Sequence, residues 1–341
     1  MSYLTEDLDN ISKYICEQGI DNCNIAVTGA TGLIGSLIIK AIVFCNKNYN
    51  KNISVTAFAR SQSKVQEIFG ENTDNVNFVF QDIAEPISKK IKTDYIIHTA
   101  NPTVSKYFIT NPVETIETIY TGSKNILEYA KNVNAKSVVY LSSMEVFGAT
   151  DAQKDKVFEK DIGYLDILNI RSCYSESKRL VECMCSCYAQ EYNVNVKIAR
   201  LAQVFGAGIL KGENRVFAQF ARSAINGEDI VLHTTGESVG NYCYTADAIK
   251  AIFLLLVKGE KGQAYTVANE KSTTTIRDMA MMVANEIAEQ KIKVVFDIPK
   301  NNVFGYAPPT TMRLSSQKLQ QLGWSPQVNL KEAYKRMMQE M

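Results

Sequence analysis

Short, nearly continuous apolar runs alternate with longer amphipathic stretches from Asn24 to Arg200. The runs are Asn24–Thr28, Ser54–Phe58, Asn77–Phe80, Tyr95–His98, Ser137–Leu141 and Val196–Arg200. Strands that are apolar throughout must be covered on both faces, so this rhythm predicts a parallel sheet between two layers of helices. That is a doubly wound, Rossmann-like α/β fold. A short helix over about Tyr3 to Gln18 precedes it. After Gly206 the rhythm breaks into a helix (Arg215–Asn226), a short strand (Ile230–His233) and Tyr242–Tyr244 leading into a helix (Asp247–Val257). A strand (Gln263–Ala268), a helix (Thr275–Glu289), a strand (Lys293–Asp297) and a loop holding Pro308-Pro309 follow. The organisation expected is an N-terminal helical extension (1–20) and a dinucleotide-binding domain (21–205, joined by about 240–268). A smaller, interleaved α/β substrate lobe (206–239 and 269–341) completes it.

Charge narrows the classes of partner. Lys and Arg number 37 against 36 Asp and Glu, a balance that removes the electrostatic case for a nucleic-acid or membrane-surface partner. The longest apolar run, Ala251–Val257, is far short of a membrane span, and the acidic N-terminus lacks the apolar core of a secretory signal. A cytoplasmic protein with reduced thiols is expected. Cys183, Cys185 and Cys187 invite a metal reading, but helical spacing spreads them over about 200°. The only histidines, His98 and His233, lie far from them in sequence, so no metal site is expected.

The first motif with chemistry is the GATGLIG run, Gly29 to Gly35, placed after a strand and opening the helix Leu33–Val43. Gly29 allows a tight turn, Gly32 lets backbone approach a pyrophosphate, and Gly35 permits close helix–sheet packing. Thr31, Leu33 and Ile34 complete the turn, whose helix N-terminus favours an anion. At the end of the second strand no carboxylate occurs from Val55 to Gln66, whereas Arg60 and Ser61 are well placed. A carboxylate there favours NAD and an arginine favours the 2′-phosphate of NADP, so the residues lean to NADP over NAD. Asp82 is placed for the adenine amino group, with Ile83 on the ring face. His98 is expected to satisfy local backbone partners, and Met279–Met282 to be helix core.

The second motif is Tyr174-Ser-Glu-Ser-Lys178 on a predicted helix, with Ser142-Ser143-Met144-Glu145 ending a strand before it. A phenol with pKa near 10 is a poor base at neutrality. A lysine one helical turn away shares its face, and with a nicotinamide cation it would favour the phenolate. Tyr174 would then serve as base, Ser143 would hold the developing carbonyl oxygen, and Glu145 would face the substrate.

Together these residues make the chain resemble the extended short-chain dehydrogenase/reductases of the epimerase/dehydratase group, which act on nucleotide sugars. The resemblance runs from Asn24 to about Tyr334 and includes His98-Thr-Ala-Asn-Pro, Arg200-Leu-Ala-Gln-Val-Phe-Gly and Leu322-Gly-Trp324. Arg171-Ser-Cys-Tyr-Ser-Glu-Ser-Lys-Arg179 and Asn111-Pro look most like UDP-glucuronate decarboxylases. The resemblance implies cofactor contacts at Thr99, Ala100, Asn101, Tyr174 and Lys178. It implies substrate contacts at Pro102, Ser143, Met144, Arg171, Gln203, Arg215, Tyr244 and Arg313, and a homodimer through helices around 111–131 and 174–190. Three departures stand out: Met144-Glu145 replaces an Asp-Glu pair, Gln203 an asparagine, and Gly240 an arginine that contacts the nucleotide diphosphate. Arg215 and Arg313 remain candidates for a diphosphate or a sugar carboxylate. The function implied is nucleotide-sugar modification through transient oxidation at C4. The alternatives are an NADPH-dependent reductase of a keto-sugar nucleotide and a non-catalytic cofactor sensor.

Overall fold

In the computed structural model, which describes residues 2–71, 73–210, 212–300 and 310–341, the apolar runs line up as one sheet. The strands are β1 Cys23–Thr28, β2 Ile53–Ala59, β3 Val76–Phe80, β4 Tyr95–His98, β5 Ser137–Ser143, β6 Val196–Leu201, β7 Gln203–Phe205, β8 Ile230–Leu232, β9 Val239–Tyr244, β10 Ala264–Val267, β11 Asn269–Thr275 and β12 Val294–Phe296. The helices are α1 Tyr3–Glu17, α2 Leu33–Tyr49, α3 Gln62–Phe69, α4 Ser105–Thr110, α5 Pro112–Val133, α6 Ser172–Glu191, α7 Val216–Asn226, α8 Thr245–Lys258, α9 Ile276–Met282, α10 Gln317–Gln320 and α11 Leu330–Met338. Seven parallel strands follow the order β10-β6-β5-β4-β1-β2-β3. The direction of winding reverses between β1 and β4, and the crevice beyond their C-terminal ends is where such sheets bind ligands.

Alternation along each strand decides which layer covers it. Ile25, Val27, Ile97 and Val139 pack with α1, α2 and α8 on one face. Ala26, Ile96, Val138 and Tyr140 pack with α5 and α6 on the other. A three-stranded sheet, β11-β9-β7, and the parallel pair β12-β8 are separate from this main sheet. Among the described residues no helix is long and apolar enough to cross a membrane.

Several details differ from the sequence reading. The N-terminal helix is not an appendage: Ile11 and Ile15 are buried, and Ser12 Oγ donates to the Ala41 carbonyl of α2 at 3.0 Å. β7 and β9, both in stretches read as the dinucleotide domain, pair with each other away from the main sheet, and β9 also pairs with β11 of the stretch read as the substrate lobe. β11 had no predicted counterpart because its NEKSTTT sequence is polar. The helix expected over Thr275–Glu289 is α-helical only to Met282 and continues as a π-helical turn to Ile287. Pro308-Pro309 lies outside the described residues.

One buried ion pair fixes α6 on the sheet. Glu182 accepts from Arg200 Nη2 at 2.7 Å and from Ser142 Oγ at 2.5 Å, while Arg200 Nη1 donates to the Glu159 carbonyl at 2.7 Å. The two charged side chains are only 8% and 9% exposed. Removing one partner of such a pair strands a buried charge. Arg200→Leu should therefore cost about 3–5 kcal/mol, measured by urea unfolding.

Candidate active site

The glycine turn is built by sterics at two positions and left open at a third. Gly29 has φ +66°, and a Cβ there would sit 2.6 Å from Thr99 Oγ1 and 2.9 Å from Ala100 backbone. A Cβ at Gly35 would come within 2.3 Å of the Gly29 carbonyl oxygen. At Gly32 the nearest atom is that same oxygen at 3.3 Å, with open space otherwise. The fold thus demands bare backbone at Gly29 and Gly35, whereas at Gly32 the bareness serves whatever approaches from outside. Gly32 is exposed, with half-buried Thr31, Leu33 and Ile34 beside it. No side chain caps α2 and no acid sits in its first turn, so its N–H groups suit an anion. These features fit a dinucleotide pyrophosphate.

Thr28 ties the turn to the end of β4. Its Oγ1 accepts from the amides of Thr99 and Ala100, both at 3.1 Å, and Thr99 Oγ1 donates to the Thr28 carbonyl at 2.6 Å. His98 uses both ring nitrogens locally, at 2.7 Å to Thr28 Oγ1 and 3.1 Å to Ser123 Oγ. Its partners are hydroxyls rather than the expected backbone groups. Burial, with Lys178 nearby, pushes this imidazole down to about 3, so it stays neutral. Next in the chain, both amide atoms of Asn101 are buried without a protein partner, beside half-buried Pro102. Such orphaned groups suit a polar ligand.

At the outer end, Arg60 Nη1 lies 3.8 Å from Asp82 Oδ2, with the side chains 77% and 43% exposed. Ser61 caps α3, accepting from the Lys64 amide at 3.3 Å. Ile83 is buried against Gly122 of α5, where an added Cβ would come within 2.7 Å of it.

Tyr174 and Lys178 sit one turn apart on α6, as predicted. Lys178 Nζ donates to the Leu141 carbonyl at 2.7 Å and lies 4.7 Å from the Tyr140 ring centre and 5.7 Å from that of Tyr174. Burial pushes this ammonium down to about 7. The Tyr174 ring stacks on Phe108 at 4.3 Å. Burial pushes its phenol upward, as does Glu145, while a Ser143 hydrogen bond and the cations of Arg171 and Arg215 oppose the rise. Among the protein's own groups, desolvation outweighs every cation at this phenol.

Glu145 is on a 3₁₀ turn, Met144–Phe147, directly after β5. Its carboxylate accepts from Arg171 Nη2 at 2.9 Å and from Ser175 Oγ at 3.2 Å. Arg171 lies 4.7 Å over the Phe108 ring, and its Nη1 is buried with no protein partner. Met144 packs on a small cluster that includes Phe147, Met312 and Leu314. Arg215 is bound by Glu213 at 2.7 Å and reaches Gln203 Oε1 at 3.5 Å. Arg313 Nη1 donates to the Ala152 carbonyl at 3.3 Å.

Tyr244, expected to face substrate, does not. It is buried, and its hydroxyl donates to Asp7 Oδ2 at 2.5 Å, inside the layer that α1 completes. Nothing in a short apolar strand reveals that a residue some 240 positions away supplies its acceptor. Phe108, Ser175 and Glu213 also escaped the sequence reading. Ser175 and Glu213 lay beside quoted residues, but Phe108 has no local signal. His233 lies apart from the site, its Nδ1 2.9 Å from the Asp297 carbonyl. Cys185 is buried while Cys183 and Cys187 are exposed, and no metal-holding group of three or more His, Cys, Asp or Glu occurs among the described residues.

A family model described as the NAD dependent epimerase/dehydratase family matches residues 25–268. The chain belongs to that family. Among curated relatives of this epimerase/dehydratase member, UDP-glucuronic acid decarboxylase 6 of Arabidopsis thaliana is 27% identical over 312 residues, 91% of this chain and 86% of the relative. UDP-glucuronic acid decarboxylase 1 of Danio rerio is 25% identical over 328 residues, 96% and 74% respectively. UDP-glucose 4-epimerase of Thermotoga maritima shares the fold with a TM-score of 0.77 at 23% identity, over 93% of this chain and 98% of that one. dTDP-glucose 4,6-dehydratase of Streptomyces venezuelae, solved with NAD, does so with a TM-score of 0.74 at 20% identity, over 93% and 96%.

The two glycines should fail differently. Gly32→Val should keep the melting temperature within a few degrees and weaken dinucleotide binding, read by fluorescence titration. Gly35→Ala should lower the melting temperature itself, because its Cβ collides with backbone.

Proposed function

We propose that this chain modifies nucleotide sugars, as an epimerase, decarboxylase or dehydratase working through transient oxidation of the sugar C4 hydroxyl. The observation that carries the reading is one cluster. Ser143 and the Glu145–Arg171 pair lie within electrostatic reach of the Tyr174 phenol. The glycine turn, after β1, lies on the same C-terminal edge of the sheet, with β4 between it and β5.

In this reading Gly29, Thr31, Gly32, Leu33, Ile34 and Gly35 hold the pyrophosphate of the dinucleotide. Arg60, Ser61, Asp82 and Ile83 surround its adenosine end, and Thr99, Ala100, Asn101, Tyr174 and Lys178 its nicotinamide end. When bound, the nicotinamide supplies the hydride acceptor for C4 and later the hydride donor. Tyr174 takes the C4 hydroxyl proton as base, and Ser143 donates to the developing carbonyl oxygen. A cation beside the ring lowers the phenol in the same sense as Arg171 and Arg215. A C4 ketone makes a C5 carboxylate a β-keto acid that loses CO2. Glu145 serves the proton transfer of that middle step, with Arg171 fixing its carboxylate. Pro102, Met144, Gln203, Arg215 and Arg313 are assigned to the substrate; Tyr244 is withdrawn from that set.

Arg60 supports a preference for NADP: it is exposed at the end of a strand with no carboxylate, and its distant ion pair with Asp82 leaves the guanidinium available. The same observation favours the second reading, a reductase of a keto-sugar nucleotide that consumes NADPH. A homodimer through α5 and α6 is supported by exposed Val113, Ile116 and Tyr120 at helical spacing on α5 and Leu180 on α6.

Tyr174→Phe should abolish cofactor reduction with every nucleotide sugar tested. Glu145→Gln should retain the first oxidation and slow the later step by roughly 10²–10⁴-fold, so reduced cofactor accumulates in single-turnover absorbance traces. Normal turnover in Glu145→Gln would leave the reductase reading as the better one. Arg60→Ala should weaken NADP binding by roughly tenfold or more and leave NAD binding unchanged in parallel titrations.

A further inference from the structure

Helix α1 lies wholly outside the residues matched by the family model, 25–268, yet it is bonded into the layer behind the cofactor helix. Asp9 Oδ1 accepts from the Tyr49 hydroxyl at 2.6 Å, and Ser12 Oγ donates to the Ala41 carbonyl at 3.0 Å. At the far end of this contact Cys16 Sγ and Cys45 Sγ lie 3.7 Å apart, about the contact distance of two sulfur atoms. Cys45 Sγ also lies 3.7 Å from the Ser12 carbonyl, which fixes it at the helix–helix seam. Cys45 is fully buried, whereas Cys16 is half-buried and open to solvent on one side.

We propose that Cys16 and Cys45 form a modification site: an intrachain disulfide, made by exchange with a small-molecule disulfide such as oxidised glutathione, that staples α1 to α2. The Cys16 thiolate attacks one sulfur of oxidised glutathione, forming a mixed disulfide and releasing one glutathione thiolate. The Cys45 thiol loses its proton and attacks Cys16 Sγ, expelling the second glutathione. Two protein thiols are oxidised, one glutathione disulfide is reduced to two thiols, and no other reagent is needed. The sulfurs must close from 3.7 Å to the 2.03–2.05 Å of a disulfide. Burial and the neighbouring Cys16 push the Cys45 thiol up to about 12, so the second step is the slow one. The bond closes a loop containing β1, the glycine turn and most of α2. The unfolded chain is thereby constrained, and the cofactor cradle gains stability.

The full chain incubated with oxidised glutathione should yield a Cys16–Cys45 cross-linked peptide in non-reducing peptide mapping. Its melting temperature should rise and should fall back with dithiothreitol. Cys16→Ser should show neither the cross-link nor the rise, and because this residue is half-buried the variant should fold. Cys45→Ser should hold glutathione on Cys16 as a persistent adduct. If Cys16 and Cys45 stay unlinked while exposed Cys183 and Cys187 are fully glutathionylated, the site is wrong. A cross-link that leaves the melting temperature at the Cys16→Ser value would overturn the staple.

Discussion

A lysine taken wholly out of water must be met by an acceptor, and here the Leu141 carbonyl near the end of β5 meets Lys178 at 2.7 Å. That contact sets how α6 lies on the sheet. Tyr174, Lys178 and Glu182 stand at successive i, i+4 positions, so they form one stripe along the helix. Tyr140 and Ser142, alternate residues of β5, face the same stripe: the lysine lies over the Tyr140 ring, and Glu182 takes the Ser142 hydroxyl. Arg200 from β6 closes the far end. With its helix held at two deeper points, Tyr174 is delivered to the strand end where Ser143 and the turn bearing Glu145 begin.

The electrostatics of this pocket follow from its dryness. Burial pushes the phenol up and the ammonium down, so both lean to their neutral forms in the protein alone. Two cations act on the phenol, yet Arg171 is committed to Glu145 and Arg215 to Glu213. The carboxylates keep these guanidiniums in place and offset much of their field at the phenol. An added positive charge beside the ring acts against this desolvation, in a site with little water to screen it.

Much of this was legible in the sequence where the cause is local. The parallel strands follow from apolar runs that must be covered on both faces, and β4 was read to the residue, Tyr95–His98. The glycine turn was readable because Gly29 and Gly35 answer a steric demand within one strand–turn–helix unit. Tyr174 and Lys178 were readable because four-residue spacing fixes a shared helix face. What escaped depends on distant partners. Polar β11 is a strand only because β9 lies beside it. Tyr244 turns away from the pocket because Asp7 of α1 accepts its hydroxyl. Phe108 reaches the Tyr174 ring from a short helix without any motif. The desolvation of the phenol likewise depends on everything that covers the ring.

The claim at the centre is that C4 of a nucleotide sugar is oxidised and then reduced again on one protein molecule. Mass spectrometry of the product formed from UDP-glucuronate deuterated at C4, with NAD or NADP present only in catalytic amount, tests it most directly. Retention of deuterium at C4 in a product that has lost CO2 is the predicted result, because the hydride taken from the sugar is returned to it. Product formed only when NADPH is supplied in stoichiometric amount, with no label returned to C4, would contradict it.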